Sequence, residues 1–391
     1  MTTQQLYNEV SAELERIAAF WGSLRDGRGG FYGGVDDTLA IDKEADKGCI
    51  LNSRILWFFS NFYLICKEEQ ALAHAKHAYD FLRDHCIDKQ YGGVYWLLHA
   101  DGAPADTHKY CYSNAFAIYA LSAYYSITRD SDVMGLAMTL YHTMEQRWKD
   151  GYGYIEAFDR TWNRTEHSVL SEDGYDAKKT MNTLLHIIEA YTELYRVSRD
   201  KEVGKSLAAA LRLCLDKVYD RKERMLRVFF DERMQSIADI YSYGHDIEAT
   251  WLLDRACEVL GDPALAAEIT QMNRILAAHV LEEAFDGKAL GNQRLRGEAD
   301  PLRIWWVQAE GVVGFLNAYQ CTGDKTYKDT ALSLWSYIKA HIIDRRTGGE
   351  WYWCVDGSGK PVAGFPIVEP WKCPYHNGRM CMEVMKRCAE L

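Results

Sequence analysis

KKTMNTLLHIIEAYTELY, Lys178 to Tyr195, carries two stripes where an ordinary surface helix carries one. Met181, Leu184, Leu185, Ile188 and Tyr195 recur at helical spacing and form a packing side. Asn182, His186, Glu189 and Glu193 recur at the same spacing and form a polar side. A helix built this way packs outward and also faces a polar interior. The stretch from Ile50 to Cys66 repeats the design: Leu51, Ile55, Phe58 and Phe62 pack, while Ile50, Arg54, Trp57 and Asn61 make a second row. In RIWWVQAEGVVGFLNAY, Arg303 to Tyr319, Trp306 and Glu310 stand one turn apart.

Between such helices lie short Gly- and aromatic-rich patches: RGGFYGG from Arg28, YGGVYWLL from Tyr91, DGYGYIEAF from Asp150, MLRVFFD from Met225, DGKALGN from Asp286 and TGGEWYWCV from Thr347. Their starts recur at roughly 60 to 75 residues, the mark of a repeat architecture, with room for two helices in each interval. Twelve helices are expected, near 3–22, 48–68, 70–87, 109–128, 130–148, 178–198, 201–219, 244–261, 263–283, 303–322, 324–342 and 375–390. Six helix pairs predict an all-α fold: a closed (α/α)6 barrel with the patches as hairpins at one end. The 7 prolines fall almost wholly in connections, as a helical chain requires. No linker divides residues 1–391, so one catalytic domain is expected.

A net charge of -11 without a basic run argues against a nucleic-acid partner. The 11 cysteines are scattered in apolar runs with no CxxC pair, which reads as reduced, buried thiols in a cytoplasmic protein. The N-terminus is an amphipathic helix with acidic residues, unlike a signal peptide. No apolar run is expected to reach membrane-spanning length, so no membrane partner is expected; the oligomeric state is left open. No thiol or carboxylate cluster has metal spacing and no phosphate-binding glycine loop occurs, so no metal and no cofactor are expected.

Two segments carry the chemistry. SYGHDIEATWLLDRA, Ser242 to Ala256, opens like a helix, with Ser242 as cap and Gly244 relieving crowding. His245 and Glu248 then project from one face, with Trp251 beside them. WKCPYHNGRMCMEV, Trp371 to Val384, places Pro374 in a first helical turn, then His376, then Arg379. Two histidines at helix starts, where the dipole favours the neutral imidazole, make a two-base arrangement if the fold joins them. Arg54, inside an apolar helix, is either structurally paired or an anion stabiliser. His186 is either a satisfied core histidine or part of a polar row. Of the adjacent Trp305 and Trp306, one is expected to line a cavity. Tyr112, starting the fourth helix with Asn114, suits capping or ligand contact. Trp57, Glu310 and Arg379 complete the candidates. His74, His77, His142, His279 and His341 fall on outer helices and are expected to be solvated.

Taken together, ADKGCILNSRILWFFSNFY, YSYGHDIEATWLLDRA, RIWWVQAEG and WKCPYHNGRMCMEV closely resemble the cellobiose 2-epimerases, within the N-acylglucosamine 2-epimerase superfamily. The likeness spans essentially the whole chain. It implies an (α/α)6 barrel and cofactor-independent inversion at C2 of the reducing-end glucose of β-1,4-linked disaccharides. By motif it implies His245 and His376 as acid/base residues. It makes Arg54, Asn182, His186 and Glu248 polar site residues, and sets Trp306 and Trp371 along the sugar. The neighbourhoods of Glu156 and Glu172 share the likeness without an assigned role. The chemistry asks for two bases flanking C2 and stabilised enediolate oxygens, for which Arg54 and a protonated His186 are the candidates. Glu248 is expected to orient His245 or bind a hydroxyl. Two alternatives differ in outcome: aldose–ketose isomerisation, which shares the enediolate, and glycoside hydrolysis, for which Glu248 with Glu310 or Glu189 would supply paired carboxylates.

Overall fold

The computed structural model of the chain describes residues 1–165 and 175–389; Glu172 therefore lies outside the described residues. The helices run α1 (Thr3–Ser23), α2 (Cys49–Cys66), α3 (Glu69–Phe81), α4 (Cys111–Thr128), α5 (Ser131–Arg147) and α6 (Met181–Ser198). They continue as α7 (Lys201–Leu213), α8 (Tyr243–Leu260), α9 (Pro263–Ala284), α10 (Trp305–Thr322), α11 (Lys325–Tyr337) and α12 (His376–Cys388). The even-numbered helices pack in a ring, α2 on α4, α4 on α6, and so on until α12 returns to α2. The odd-numbered helices clothe that ring, with α1 laid against α12. This is the (α/α)6 barrel.

Five inner helices, α2 through α10, are each 18 residues long, which brings their ends to two common levels. Each stops at a left-handed residue, Lys67, Arg129, Arg199, Gly261 or Gly323, whose N–H closes the last turn. An acidic residue follows at once, and in four cases, Asp130, Asp200, Asp262 and Asp324, its carboxylate caps the next outer helix. Three outer helices, α3, α7 and α11, end in a π-type turn, at Leu82–Cys86, Cys214–Val218 and Ile338–Ile342. Simple helical periodicity there predicted unbroken helices.

The Gly-aromatic patches are hairpins at the mouth where the inner helices begin. Each opens on an aspartate (Asp26, Asp88, Asp150, Asp220, Asp286, Asp344) that accepts backbone N–H groups two or three residues on. Buried lysines just ahead of the inner helices meet three of these carboxylates: Lys47 on Asp26 at 2.7 Å, Lys109 on Asp88 at 2.8 Å and Lys179 on Asp150 at 2.6 Å. Short strands before the inner helices pair with strands of the following connection, as Lys109–Tyr110 does with Ala157–Phe158 and Lys179–Thr180 with Phe229–Phe230. A bridge between Val35 and Val368 joins the first connection to the last. One contiguous core runs from Leu6 to Met385.

Two expectations need correction. α2, 18 residues with mean hydropathy 1.3, does meet the length and composition of a membrane span; it is 72% buried, because it is a wall of the barrel. Among the outer-helix histidines, His74 and His279 are buried rather than solvated, and His77 bonds the Asp26 and Gly30 carbonyls. The cysteines are free and mostly buried, with Cys321 exposed.

Candidate active site

A cavity of about 420 Å³ opens at the hairpin mouth, and every inner helix supplies its wall. Arg54 comes from α2, Tyr112 from α4, Asn182 and His186 from α6, His245 from α8, Trp305 and Trp306 from α10, and His376 from α12. All lie in the first two turns of their helices, so the common starting level converts six repeats into one ring of side chains. Both indoles of the tryptophan pair line it. Trp371 and the hairpin residues Phe229, Asn292, Trp353 and Glu369 complete the rim. Apart from Trp371 these escaped sequence reasoning, which read the patches as turns; the alternation in GGEWYWCV was the available signal for Trp353.

The two helix-start histidines meet across Trp306, whose ring centroid lies 4.7 Å from that of His245 and 5.3 Å from that of His376. Gly244 permits this: a Cβ there would come within 2.5 Å of the Trp306 ring. His245 Nδ1 is engaged by Ser242 Oγ at 2.8 Å. Burial, aided by His186, drops its imidazole to about 3. His376 Nδ1 donates to Glu310 Oε1 at 2.7 Å, and burial followed by the charges of Arg379 and Arg54 holds it well below the usual range. Both rings are thus neutral near pH 7, with Nε2 left for chemistry.

His186 corrects an expectation. Its Nδ1 donates to Glu189 Oε2 at 2.9 Å, yet burial, with Arg54 and Arg379, outweighs that carboxylate and lowers the imidazole. It is neutral, not the expected imidazolium, so Nε2 presents a lone pair.

Arg54 is 2% exposed and sits over the Phe116 and Tyr375 rings, at 4.1 and 4.6 Å. It donates to the Trp371 carbonyl at 3.1 Å and to the Tyr112 hydroxyl at 2.8 Å, and among the described residues no carboxylate pairs with it. A buried, unneutralised guanidinium on a cavity wall is an anion site in waiting.

Glu248, Glu310, Arg379 and Trp57 do not line this cavity. Beneath it, Arg379 donates to Glu189 Oε1 at 2.5 Å, to Glu310 Oε1 at 2.7 Å, and to Glu248 and the Tyr375 hydroxyl. Glu310 also accepts Trp251 Nε1 at 3.0 Å. Glu248 sits 4.0 Å from His376 Nδ1 and orients neither face of His245, which Ser242 holds instead. Burial works against ionising Glu189, but Arg379 and His186 hold it at about 2; burial and the Glu310 charge push Glu248 up to about 8. A paired-carboxylate hydrolase site is therefore absent from the cavity wall among the described residues. Trp57 stacks on Tyr119 at 5.4 Å and lines a second cavity at the opposite mouth.

The fold also assembles what sequence spacing could not show: donor atoms of Glu248, Glu310 and His376 within 4.8 Å of one another. Arg379 already bonds both carboxylates, so a cation entering there meets a fixed positive charge. Glu156 has a mechanical place: its carboxylate accepts Thr180 N at 2.8 Å and Thr183 Oγ1 at 2.7 Å, anchoring the start of α6.

Residues 30–376 match the family model of N-acylglucosamine 2-epimerase (GlcNAc 2-epimerase). A cellobiose 2-epimerase of Ruminococcus albus is 49% identical over 388 residues, covering 99% of this chain and 100% of that protein. Among solved structures, a sugar epimerase from a ruminal bacterium superposes with TM-score 0.96 at 49% identity, over 97% of this chain and 98% of the other. The cellobiose 2-epimerase of Bacillus thermoamylovorans gives 0.94 at 41% identity, over 98% and 100%.

Proposed function

Because the chain belongs to the N-acylglucosamine 2-epimerase family and is a carbohydrate epimerase, we propose that it inverts C2 of the reducing-end glucose of β-1,4-linked disaccharides such as cellobiose and lactose. The observation that carries this reading is the pair of neutral imidazoles, His245 and His376, packed on one indole and facing one cavity. Once the sugar ring opens, C2 is acidified by the C1 aldehyde. One Nε2 takes the C2 proton, giving a cis-enediolate and an imidazolium. The other imidazole takes up a proton from solvent through the open cavity and delivers it to the opposite face of C2, and the first releases its proton to solvent, so that protons balance over the turnover.

Each positioned acid/base group typically contributes about 10²–10⁴-fold, roughly 3–5 kcal/mol. The enediolate needs a further stabilisation on the order of 3–4 kcal/mol. Arg54 supplies it: the guanidinium carries no counter-charge of its own, so charge developing on the substrate is its first. Neutral His186, aided by Asn182, accepts sugar hydroxyls instead. Glu310 fixes the tautomer of His376 and steadies its cation when it forms. Arg379, tied to both Glu189 and Glu310, holds the carboxylates behind His186 and His376 in one rigid group.

Proton NMR of cellobiose and lactose incubated with the protein in D2O tests the reading. Deuterium at C2 with a mannose-type reducing end is the expected result. A fructose-type end would assign isomerisation, and free glucose would assign hydrolysis.

A further inference from the structure

The fourth residue of α2, α8 and α10 has the same mechanical task in each repeat. Asn52 Oδ1 accepts the Phe31 N–H at 3.1 Å, Asp246 Oδ1 that of Leu226 at 3.1 Å, and Gln308 Oε1 that of Leu290 at 2.9 Å. Each bond clips the preceding hairpin onto the first turn of an inner helix. Asn52 and Gln308 are amides whose NH2 group donates as well, to the Gly48 carbonyl at 3.1 Å and the Leu290 carbonyl at 2.9 Å.

Asp246 is the acid among amides. It is 0% exposed, and its Oδ2 is buried without a hydrogen-bond partner among the described residues. As a carboxylate it would hold a full charge in the core on a single hydrogen bond, with no cation paired to it among the described residues. The titratable groups that feel it are Cys214 in the turn after α7, Tyr219 of the hairpin and Tyr243 beside it on α8, all uncharged near pH 7. Arg221 and Arg224 on the hairpin, with Glu283 of α9 and Arg294 of the strand Gln293–Leu295, act on those tyrosines, and among the described residues no cation forms an ion pair with Asp246. From α6 and α10, Glu189 and Glu310 are engaged by Arg379 on the cavity side.

We propose that Asp246 is a positioning residue that works as a neutral carboxylic acid, clipping the 219–226 hairpin to α8 and so fixing the adjacent His245 in the cavity wall. Burial raises its pKa in the matching direction, well above the usual carboxylate range. The role of His245 rests on the function proposed above; the protonation state does not. In the unfolded chain the acid ionises above about pH 4, whereas the folded chain keeps the proton. Parent protein therefore gives up stability as pH rises from there towards the folded value, and an asparagine at this position does not.

The test uses the full chain, with thermal melts from about pH 5 to 9 and steady-state kinetics on cellobiose for the parent, Asp246→Asn and Asp246→Ala. Asp246→Asn should melt above the parent by a margin that widens with pH. Asp246→Ala should melt lower and lose about tenfold or more in kcat with a smaller change in KM, and Asp246→Asn should bring kcat back to within about threefold of the parent. An asparagine variant that melts below the parent, or at an offset independent of pH, shows a charged carboxylate and overturns the proposal. An alanine variant with unaltered kcat removes the positioning role. Should cellobiose not be turned over by any of the three, the melts still decide the protonation, so the two readings fail separately.

Discussion

At the scale of single residues, the imidazole that takes the C2 proton must be neutral, and the neutrality of both rings comes first from burial. His245→Asn and His376→Asn should each lower turnover by about 10²-fold or more while leaving circular dichroism unchanged. A variant that keeps more than about a tenth of parental turnover removes that histidine from the reaction. On the function proposed above, the indoles divide the substrate between them. Trp306 packs on both histidines, which on that reading sets it against the reacting ring. Trp353 packs on Trp305 at 4.7 Å and stacks on the exposed Phe365, which places it at the rim. Trp353→Ala should therefore cost on the order of 1–3 kcal/mol in kcat/KM on cellobiose and much less on glucose, whereas Trp306→Ala should penalise both sugars. Equal losses from Trp353→Ala on the two sugars would place its ring against the reducing end. Residue types at helix starts singled out His245, His376 and Trp306 in the sequence, and a lone guanidinium inside an apolar helix singled out Arg54. Glu248, Glu310 and Arg379 were legible as polar faces, but which polar face reaches the cavity depends on helix depth and rotation, and these three lie one level too deep.

At the scale of elements, periodicity exposes the helix pairs, and the structure adds the short local rules that join them. Inner helix, left-handed stop, acidic cap and outer helix follow one another within a few residues. Two of the five left-handed stops are glycine, Gly261 and Gly323, and three are Lys67, Arg129 and Arg199 at φ of 53 to 57°. A side chain there crowds the following carbonyl. Arg129→Gly should thus stabilise the chain by about 0.5–1 kcal/mol, and Gly261→Ala should destabilise it by a similar amount, read as shifts in thermal midpoint. An unchanged midpoint in both would mean that neighbouring contacts, not the φ angle, set these turns. The π-type ends of α3, α7 and α11 were not legible. The i to i+5 bond adds one residue per turn, and its preference over a plain helix end is decided by what the widened turn packs against.

For the molecule as a whole, the buried charges set its acid limit. Asp26, Asp88 and Asp150 are held below the usual carboxylate range, each against burial, by backbone N–H groups and lysine partners, with Arg160 foremost on Asp88, and Glu189 is held at about 2. Groups with depressed folded values contribute stability that is present above their unfolded values near 4 and is lost as pH falls through the folded ones. The neutral His186, His245 and His376 act in the same direction, since below about pH 6.5 the unfolded chain binds protons that the folded chain refuses. Between about pH 6.5 and 4 this loss is opposed by Glu156, Asp246, Glu248 and Glu310, whose raised folded values make the chain gain stability as pH falls. The net fall in thermal midpoint should therefore come from about pH 4 to 2; a midpoint flat across that range would show that the depressed carboxylates are not differentially protonated on folding. The sequence alone determined the number of helices, their pairing, the one-ended hairpins and the helices that carry polar residues, because each follows from local spacing and from a period that one chain repeats six times. Only the tertiary structure decided that Ser242 rather than Glu248 holds His245, that His186 is neutral, and that Glu189, Glu248 and Glu310 share one guanidinium. The first turns on the rotamer of one helix start, the second on burial, and the third on residues 69 to 190 positions apart that closing the ring brings together; no periodicity encodes any of them.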